Sequence, residues 1–175
     1  MTPSKRKIFL QSLDKDQAFR VLMTLLADDP TLVKKAYAIA VEIVGEANVD
    51  EITDDVYHAL NSIDVDDLYS SSGKTRHGYV DPYDKAWEMF EEALFPFMHE
   101  MEINQKRGLP SEAKKYCIGI IKGLWKYEEK SHSEFKDWIT DIPIDHISTV
   151  VEEYKEGNPS DEDIAEVMDI VDEVI

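Results

Sequence analysis

Apolar residues recur at third and fourth positions along nearly the whole chain, and no segment alternates convincingly with period two. That spacing lines side chains up on one stripe of an α-helix, so the chain reads as helix almost throughout. Phe19, Leu22, Met23 and Leu26 predict a first helix over about 16–27. Asp29-Pro30 ends it and opens the next, with Asp29 as N-cap and Pro30 at the first helical position. That next helix contains "AYAIAVEIVG", where Glu42 is the only charge, and Gly45 closes it. A helix apolar on all sides is expected at the centre of a fold.

The same reading continues downstream. Asp50 is expected to cap a helix carrying Ile52, Val56, Leu60 and Ile63, and "DVDDLYSSS" predicts a short helical turn after it. Asp81-Pro82 opens the strongest helix, with Tyr83, Trp87, Phe90, Leu94, Phe97, Met98 and Met101 as its stripe. Pro96 falls off that stripe, so a solvent-side bend is expected and not a break. After Gly108 a returning helix has Ala113, Cys117, Ile120, Ile121 and Leu124 inward. Its Gly119 and Gly123 imply close approach by a neighbouring helix, because glycine in a helix otherwise costs about 1 kcal/mol relative to alanine. Ser131 and Glu134 have capping-box spacing before a short helix. Two more helices follow, from about Pro143 to Glu156 and after Ser160.

The expected fold is all-α, with antiparallel helix pairs forming an irregular bundle or a short α-superhelix of about eight helices. Residues 1–13 read as an N-terminal tail and 14–156 as the helical domain. Residues 157–175 read as an acidic helix that packs on that domain or swaps between chains. Apolar residues make up 43% of the chain, enough for a core, and no apolar run reaches the roughly 20 residues of a membrane span. The single cysteine, Cys117, excludes an intrachain disulfide and fits a reducing cytoplasm.

Net charge is −18. From Asp28 to Glu102 there are 18 acidic residues against Lys34, Lys35, Lys74, Arg76 and Lys85. From Asp141 to Ile175 there are 12, against Lys155 alone. Such a surface repels phosphate and argues against direct nucleic-acid binding, although eight basic residues lie between Lys106 and Lys136.

"SSSGKTRHGYVDP" (70–82) holds the Gly-Lys-Thr ending of a phosphate-binding loop. The motif needs a glycine five residues before the Gly-Lys pair and a strand in front. Leu68 stands at the glycine position, after a helical segment. A turn is the simpler reading, with Gly73 and Gly78 supplying its conformations. Lys74, Arg76, His77 and Tyr79 remain candidate binding residues. Trp125 joins them as an aromatic beside the core stripe and next to Lys122 and Lys126; it either anchors a partner or covers the C-terminal helices.

No catalytic or metal set emerges. Asp55-x-x-His58 is a single copy of a motif that di-metal helical sites use twice, and zinc chemistry lacks cysteines. Cys117 lies on an apolar stripe, where a thiol is inert. Glu42, inside an apolar run, is the one acid read as a candidate for a perturbed pKa.

"DVDDLYSSSGKTRHGYVDPYDKAWEMFEEALFPF", "GLPSEAKKYCIGIIKGLWKYE" and "SEFKDWITD" resemble the helical region found downstream of SWIM zinc fingers in prokaryotic proteins. The likeness covers about half the chain. The finger's Cys-x-Cys…Cys-x-His site cannot be built from one cysteine, so its activity does not transfer. Gly108, Glu112, Ala113 and Cys117 also resemble the second half of a tetratricopeptide repeat, whereas Glu100 and Asn104 depart from its first half.

Taken together, the residues imply a non-enzymatic protein–protein interaction module in a prokaryotic cytoplasm, without cofactor or metal. Its partner would be a protein of basic character, and self-association stays open. The alternative is an enzyme or binder of a small phosphorylated or anionic ligand at the Ser70–Tyr79 loop. An acidic mimic of nucleic acid comes third.

Overall fold

The structure, a computed structural model, describes residues 3–27, 29–44, 47–75 and 78–175. Its contacts divide the chain into two compact units, Met1–Glu46 and Ala47–Ile175. The described residues are almost entirely α-helical, as the periodicity requires. None of these helices is long and apolar enough to cross a membrane.

The first unit holds α1 (Pro3–Gln11), α2 (Lys15–Ala27) and α3 (Pro30–Val44). Residues expected as a tail thus begin with a helix. Asp29 caps α3, its Oδ1 accepting from the Thr31 amide at 2.9 Å. The expectation that α3 lies at the centre of the fold is overturned. None of its described side chains is buried, and none of those of α2 is either. An apolar circumference says that a helix needs cover on more than one side, but three short helices supply too few neighbours to provide it.

The second unit comprises α4 (Val49–Asn61), α5 (Val65–Ser71), the strands β1 (Gly73–Thr75) and β2 (Gly78–Val80), and α6 (Pro82–Lys106). After these come α7 (Pro110–Lys130), a 3₁₀ turn over Glu134–Trp138, α8 (Ile142–Glu156) and α9 (Asp161–Val174). The strands form a small antiparallel hairpin that the hydrophobic period did not announce. Three residues per strand are too few to show an alternation.

The centre belongs to α7, which packs against α4, α6, α8 and α9. Ile120, Ile121 and Leu124 are fully enclosed, each contributing about 1.5–3 kcal/mol of burial. Gly119 and Gly123 do admit a neighbour closely, namely Ile52 and Val56 of α4. Phe90, Leu94 and Met101 bury the inner face of α6, while Tyr83 and Trp87 at the start of its predicted stripe remain exposed. Both still pack by their rings: Tyr83 against Trp138 at 5.3 Å between centroids, and Trp87 against Phe90 at 6.1 Å. Pro96 lies exposed within an uninterrupted helix.

Two caps fall one or two residues from their expected places. Asn48 and not Asp50 caps α4, accepting from the Asp50 amide at 2.9 Å. Ser133 and not Ser131 caps the 3₁₀ turn, accepting from the Phe135 amide at 3.3 Å, while the Ser131 hydroxyl accepts from the Ser133 amide and donates to Asn61 Oδ1 at 2.7 Å. The last helix lies on α7 and α8, with Val167 buried and Ser160 capping it. Lys114 of α7 reaches Asp163 and Glu166 of α9 at 2.6 and 2.5 Å.

Candidate functional site

The Ser70–Tyr79 segment forms the end of α5 and the hairpin. Lys74 and Tyr79 are cross-strand partners and both are exposed. Arg76 and His77 lie outside the described residues. Gly73 and Gly78 take φ values of 76° and 134°, the turn role expected of them. Gly-Lys-Thr therefore runs along a strand instead of curling before a helix, so its amides do not form a phosphate cradle. The hydroxyl donors are also fewer than the sequence offers. Ser70 and Ser71 both turn back to the Asp67 carbonyl, at 3.0 and 2.6 Å.

Trp125 belongs to a different element, α7, where it is half-buried and stands outside the core cluster. Its neighbour Lys126 is already engaged. It pairs with Asp54 at 2.6 Å and lies over the Tyr57 ring at 4.9 Å. Most of the basic stretch behaves in this way. Lys106 pairs with Glu102, Lys114 with Asp163 and Glu166, Lys115 with Glu112, and Lys136 with Glu128. Five of its eight cations thus already face carboxylates, which reduces the positive surface open to a phosphate backbone.

Covalent chemistry has no foothold at Cys117. It is fully buried, and burial pushes its thiol up to about 12, so no thiolate forms at neutral pH. Among the described residues no group of three His, Cys, Asp or Glu side chains is placed to hold a metal ion. The side chain of Glu42 lies outside the described ones.

A concave site does exist, in a place the sequence reading passed over. A groove of about 570 Å³ runs between α6 and α8. Glu91, Leu94, Phe95, Met98, His99 and Glu102 line one side of it; they follow each other by three, one, three, one and three residues along one face of α6. From α8 come His146, Thr149, Glu153 and Glu156. Leu94 and Met98 make an apolar floor, Phe95 stands 63% exposed at its edge, and four glutamates form the rim.

The electrostatics of this groove are lopsided. Glu102 is satisfied by Lys106, with His99 Nδ1 at 3.6 Å, and Lys106 holds its carboxyl below the usual range. Glu91, Glu153 and Glu156 have no ion-pair partner among the described residues. Partial burial, then the charges of Glu156, Glu102 and Glu91, push the Glu153 carboxyl above its ordinary value. A cation delivered here would relieve that repulsion.

His146 closes the inner wall at only 8% exposure. Its ring meets Phe90 edge-on at 5.2 Å and Trp87 at 5.9 Å, and its buried Nδ1 has no hydrogen-bond partner. Burial holds its pKa below the usual histidine value, against a smaller upward pull from Glu91, so the imidazole is neutral at pH 7.

Two features of α6 mark its side of the groove. Phe95 and His99, four apart on the polar side of α6, stack with planes 10° from parallel at 5.4 Å. Between them and the inward stripe fall glutamates that no lysine on the same helix face answers, apart from Lys106 with Glu102. The chain matches no family model, no curated protein sequence and no solved structure.

Proposed function

We propose that the chain is a non-enzymatic interaction module of the prokaryotic cytoplasm, of the kind of helical region that accompanies SWIM zinc fingers, and that the α6–α8 groove receives a basic, amphipathic segment of a protein partner. The observation that carries this reading is the unpaired set Glu91, Glu153 and Glu156 around the floor of Leu94 and Met98. A partner helix laid in the groove presents apolar residues at intervals of three and four to that floor and lysines or arginines to the rim. Burial of the apolar contacts supplies affinity, and the carboxylates steer and orient the approach. The neutral wall at His146 suits the apolar side of such a segment. The hairpin residues Lys74 and Tyr79 and the α7 residue Trp125 are candidate contacts beyond the groove, on the strength of their partial or full exposure.

The test is binding of a fluorescent, helix-forming Leu/Lys peptide to the full chain, followed by anisotropy. Glu91→Lys with Glu153→Lys should weaken it at least tenfold, and Met98→Asp should do the same without altering rim charge. Asp169→Lys with Asp172→Lys, which makes the same charge change on α9, should leave affinity within about twofold. Equal losses from both charge reversals would mean that net charge alone attracts the peptide and would end the groove assignment.

A further inference from the structure

Thirteen of the twenty large apolar side chains exposed among the described residues belong to α1, α2 and α3. They include Phe9, Phe19, Leu22, Leu25, Tyr37 and Ile39, each 44% exposed or more. At roughly 180 Å² per large side chain, the exposed fractions of the ten on α2 and α3 amount to about 900 Å² of apolar surface, spread over more than one side. That is comparable to the roughly 800 Å² each partner contributes to a standard interface.

The distribution of these residues points to what covers them. With about 100° per residue, Leu32, Ile39 and Ile43 share one side of α3, and Val33 and Tyr37 another. On α2, Phe19, Leu22 and Met23 share one side, while Val21 and Leu25 face nearly opposite. Residues on both sides stay exposed although α2 packs on α3, so these helices call for a second layer of helices against them. Charge narrows its identity. The first unit carries seven basic and six acidic residues, whereas the rest of the chain carries twelve basic and thirty-one acidic. Two copies of the second unit repel each other strongly. Two copies of the first, close to neutral overall, do not, and each presents an apolar helical surface that the other can cover.

We infer that the first unit is a homodimerisation module, in which the α2–α3 hairpins of two copies pack together about a two-fold axis into a four-helix layer. The inference is independent of the groove in the second unit. Sedimentation equilibrium of the full chain should give twice the 20.1 kDa chain mass at micromolar concentrations and above, because interfaces of this size have dissociation constants from about micromolar downwards. Leu22→Glu and Ile39→Glu should each shift the dissociation constant at least a hundredfold towards monomer. The milder Ile39→Ser should shift it less, with helical circular dichroism retained. If a glutamate variant loses helix content, the wild-type mass and the serine variant decide the matter.

A chain monomeric at every concentration overturns the inference. So does a dimer indifferent to all three substitutions, or an open-ended series of oligomers in place of a closed pair. A monomer whose first unit instead carries it to the top of a flotation gradient with phosphatidylcholine vesicles would give the face to lipid and overturn the pairing.

Discussion

Gly123 of α7 lies so close to Val56 of α4 that a methyl group on it would come within 2.6 Å of the Val56 Cβ and Cγ1 and 3.1 Å of the Thr53 carbonyl oxygen. Gly119 makes the same approach to Ile52 one turn earlier, also at 2.6 Å. The two glycines set the separation of the most extensive helix pair in the fold.

Gly123→Ala therefore pits two effects against each other. Alanine favours the helix by about 1 kcal/mol, but overpacking against a branched side chain and a backbone carbonyl costs about 1–3 kcal/mol and wins. All three tryptophans lie in the second unit, so urea unfolding followed by tryptophan fluorescence reports on that unit alone. The variant should unfold at lower urea with an unchanged slope. Val56→Ala is destabilising by itself, yet should cost less in the Gly123→Ala background, because it removes the colliding methyls. Strict additivity of the two would show that the collision is relieved elsewhere.

Lys114 joins α7 to α9 through Asp163 and Glu166. Hydrogen bonds to Asp163 and then Glu166 raise its pKa, and the Asp163 carboxyl is lowered, first by Lys114 and then by Ser160. A depressed carboxyl contributes stability that is present above its unfolded pKa, about 3.8, and lost as pH falls through the folded value. The raised ammonium contributes stability that is present below 10.5 and lost only in strong alkali. Lys114→Met keeps the aliphatic stem and deletes the charge. It should cost about 1 kcal/mol at pH 7, a modest figure because both partners of the pair are partly solvated, and close to nothing at pH 2. A difference that persists at pH 2 would make the stem, and not the ion pairs, the cause.

The glycine prediction also marks where sequence reading succeeds. The glycine approach was legible because two helix-breaking residues four apart inside an apolar stripe have few other uses. Caps at Asp29, Asp81 and Ser160 were legible for a related reason: each side chain satisfies an amide two or three residues away. Where Asn48 and Asp50 both fit, local rules do not choose. Ser131 shows the reach of what local rules omit, since its hydroxyl donates to Asn61, a residue 70 positions away. The groove was illegible on the same ground. Glu91 and Phe95 on one helix and Glu153 on another read as solvated faces until tertiary packing opposes them. The fate of α3 depends likewise on neighbours that its own pattern does not specify.

His146 makes stability depend on pH in a definite direction. Its folded pKa lies below the ordinary 6.5 because burial disfavours the imidazolium, with Glu91 opposing weakly. As pH falls below 6.5 the unfolded chain takes up a proton that the folded chain refuses, so stability declines until the folded pKa is reached. Glu153, two turns further along α8, works oppositely: its raised pKa makes the folded state hold a proton longer, and that contribution fades as pH rises from 4.5. His99 and Glu102 also face the groove. His146→Phe keeps a ring against Phe90 and Trp87 and deletes the orphaned Nδ1. The variant should match or exceed wild type by about 1 kcal/mol at pH 7 and gain further on it towards pH 5. Parallel stability curves for the two proteins over that interval would show that His146 titrates normally.

Gln105 and Gly157 test the same geometry as Gly123 with a softer neighbour. Gln105 Nε2 donates to the Tyr154 carbonyl at 2.9 Å, adding a second donor to an acceptor that the Gly157 amide also reaches at 3.2 Å at the C-terminal end of α8. A Cβ at Gly157 would fall 2.5 Å from the Gln105 Cδ. Gly157 has φ −73°, so alanine there meets no backbone strain and the whole penalty lies in displacing one amide. Because the far end of a glutamine swings aside freely, Gly157→Ala should cost only that hydrogen bond, about 0.5–1.5 kcal/mol, with no overpacking of the kind met at Gly123. Gln105→Ala should cost a similar amount by losing the same bond. Once it has been made, Gly157→Ala should add nothing further, since the obstructing group is gone. Full additivity in this cycle would mean that Gly157 is required for its own conformation and that Gln105 does not bear on it.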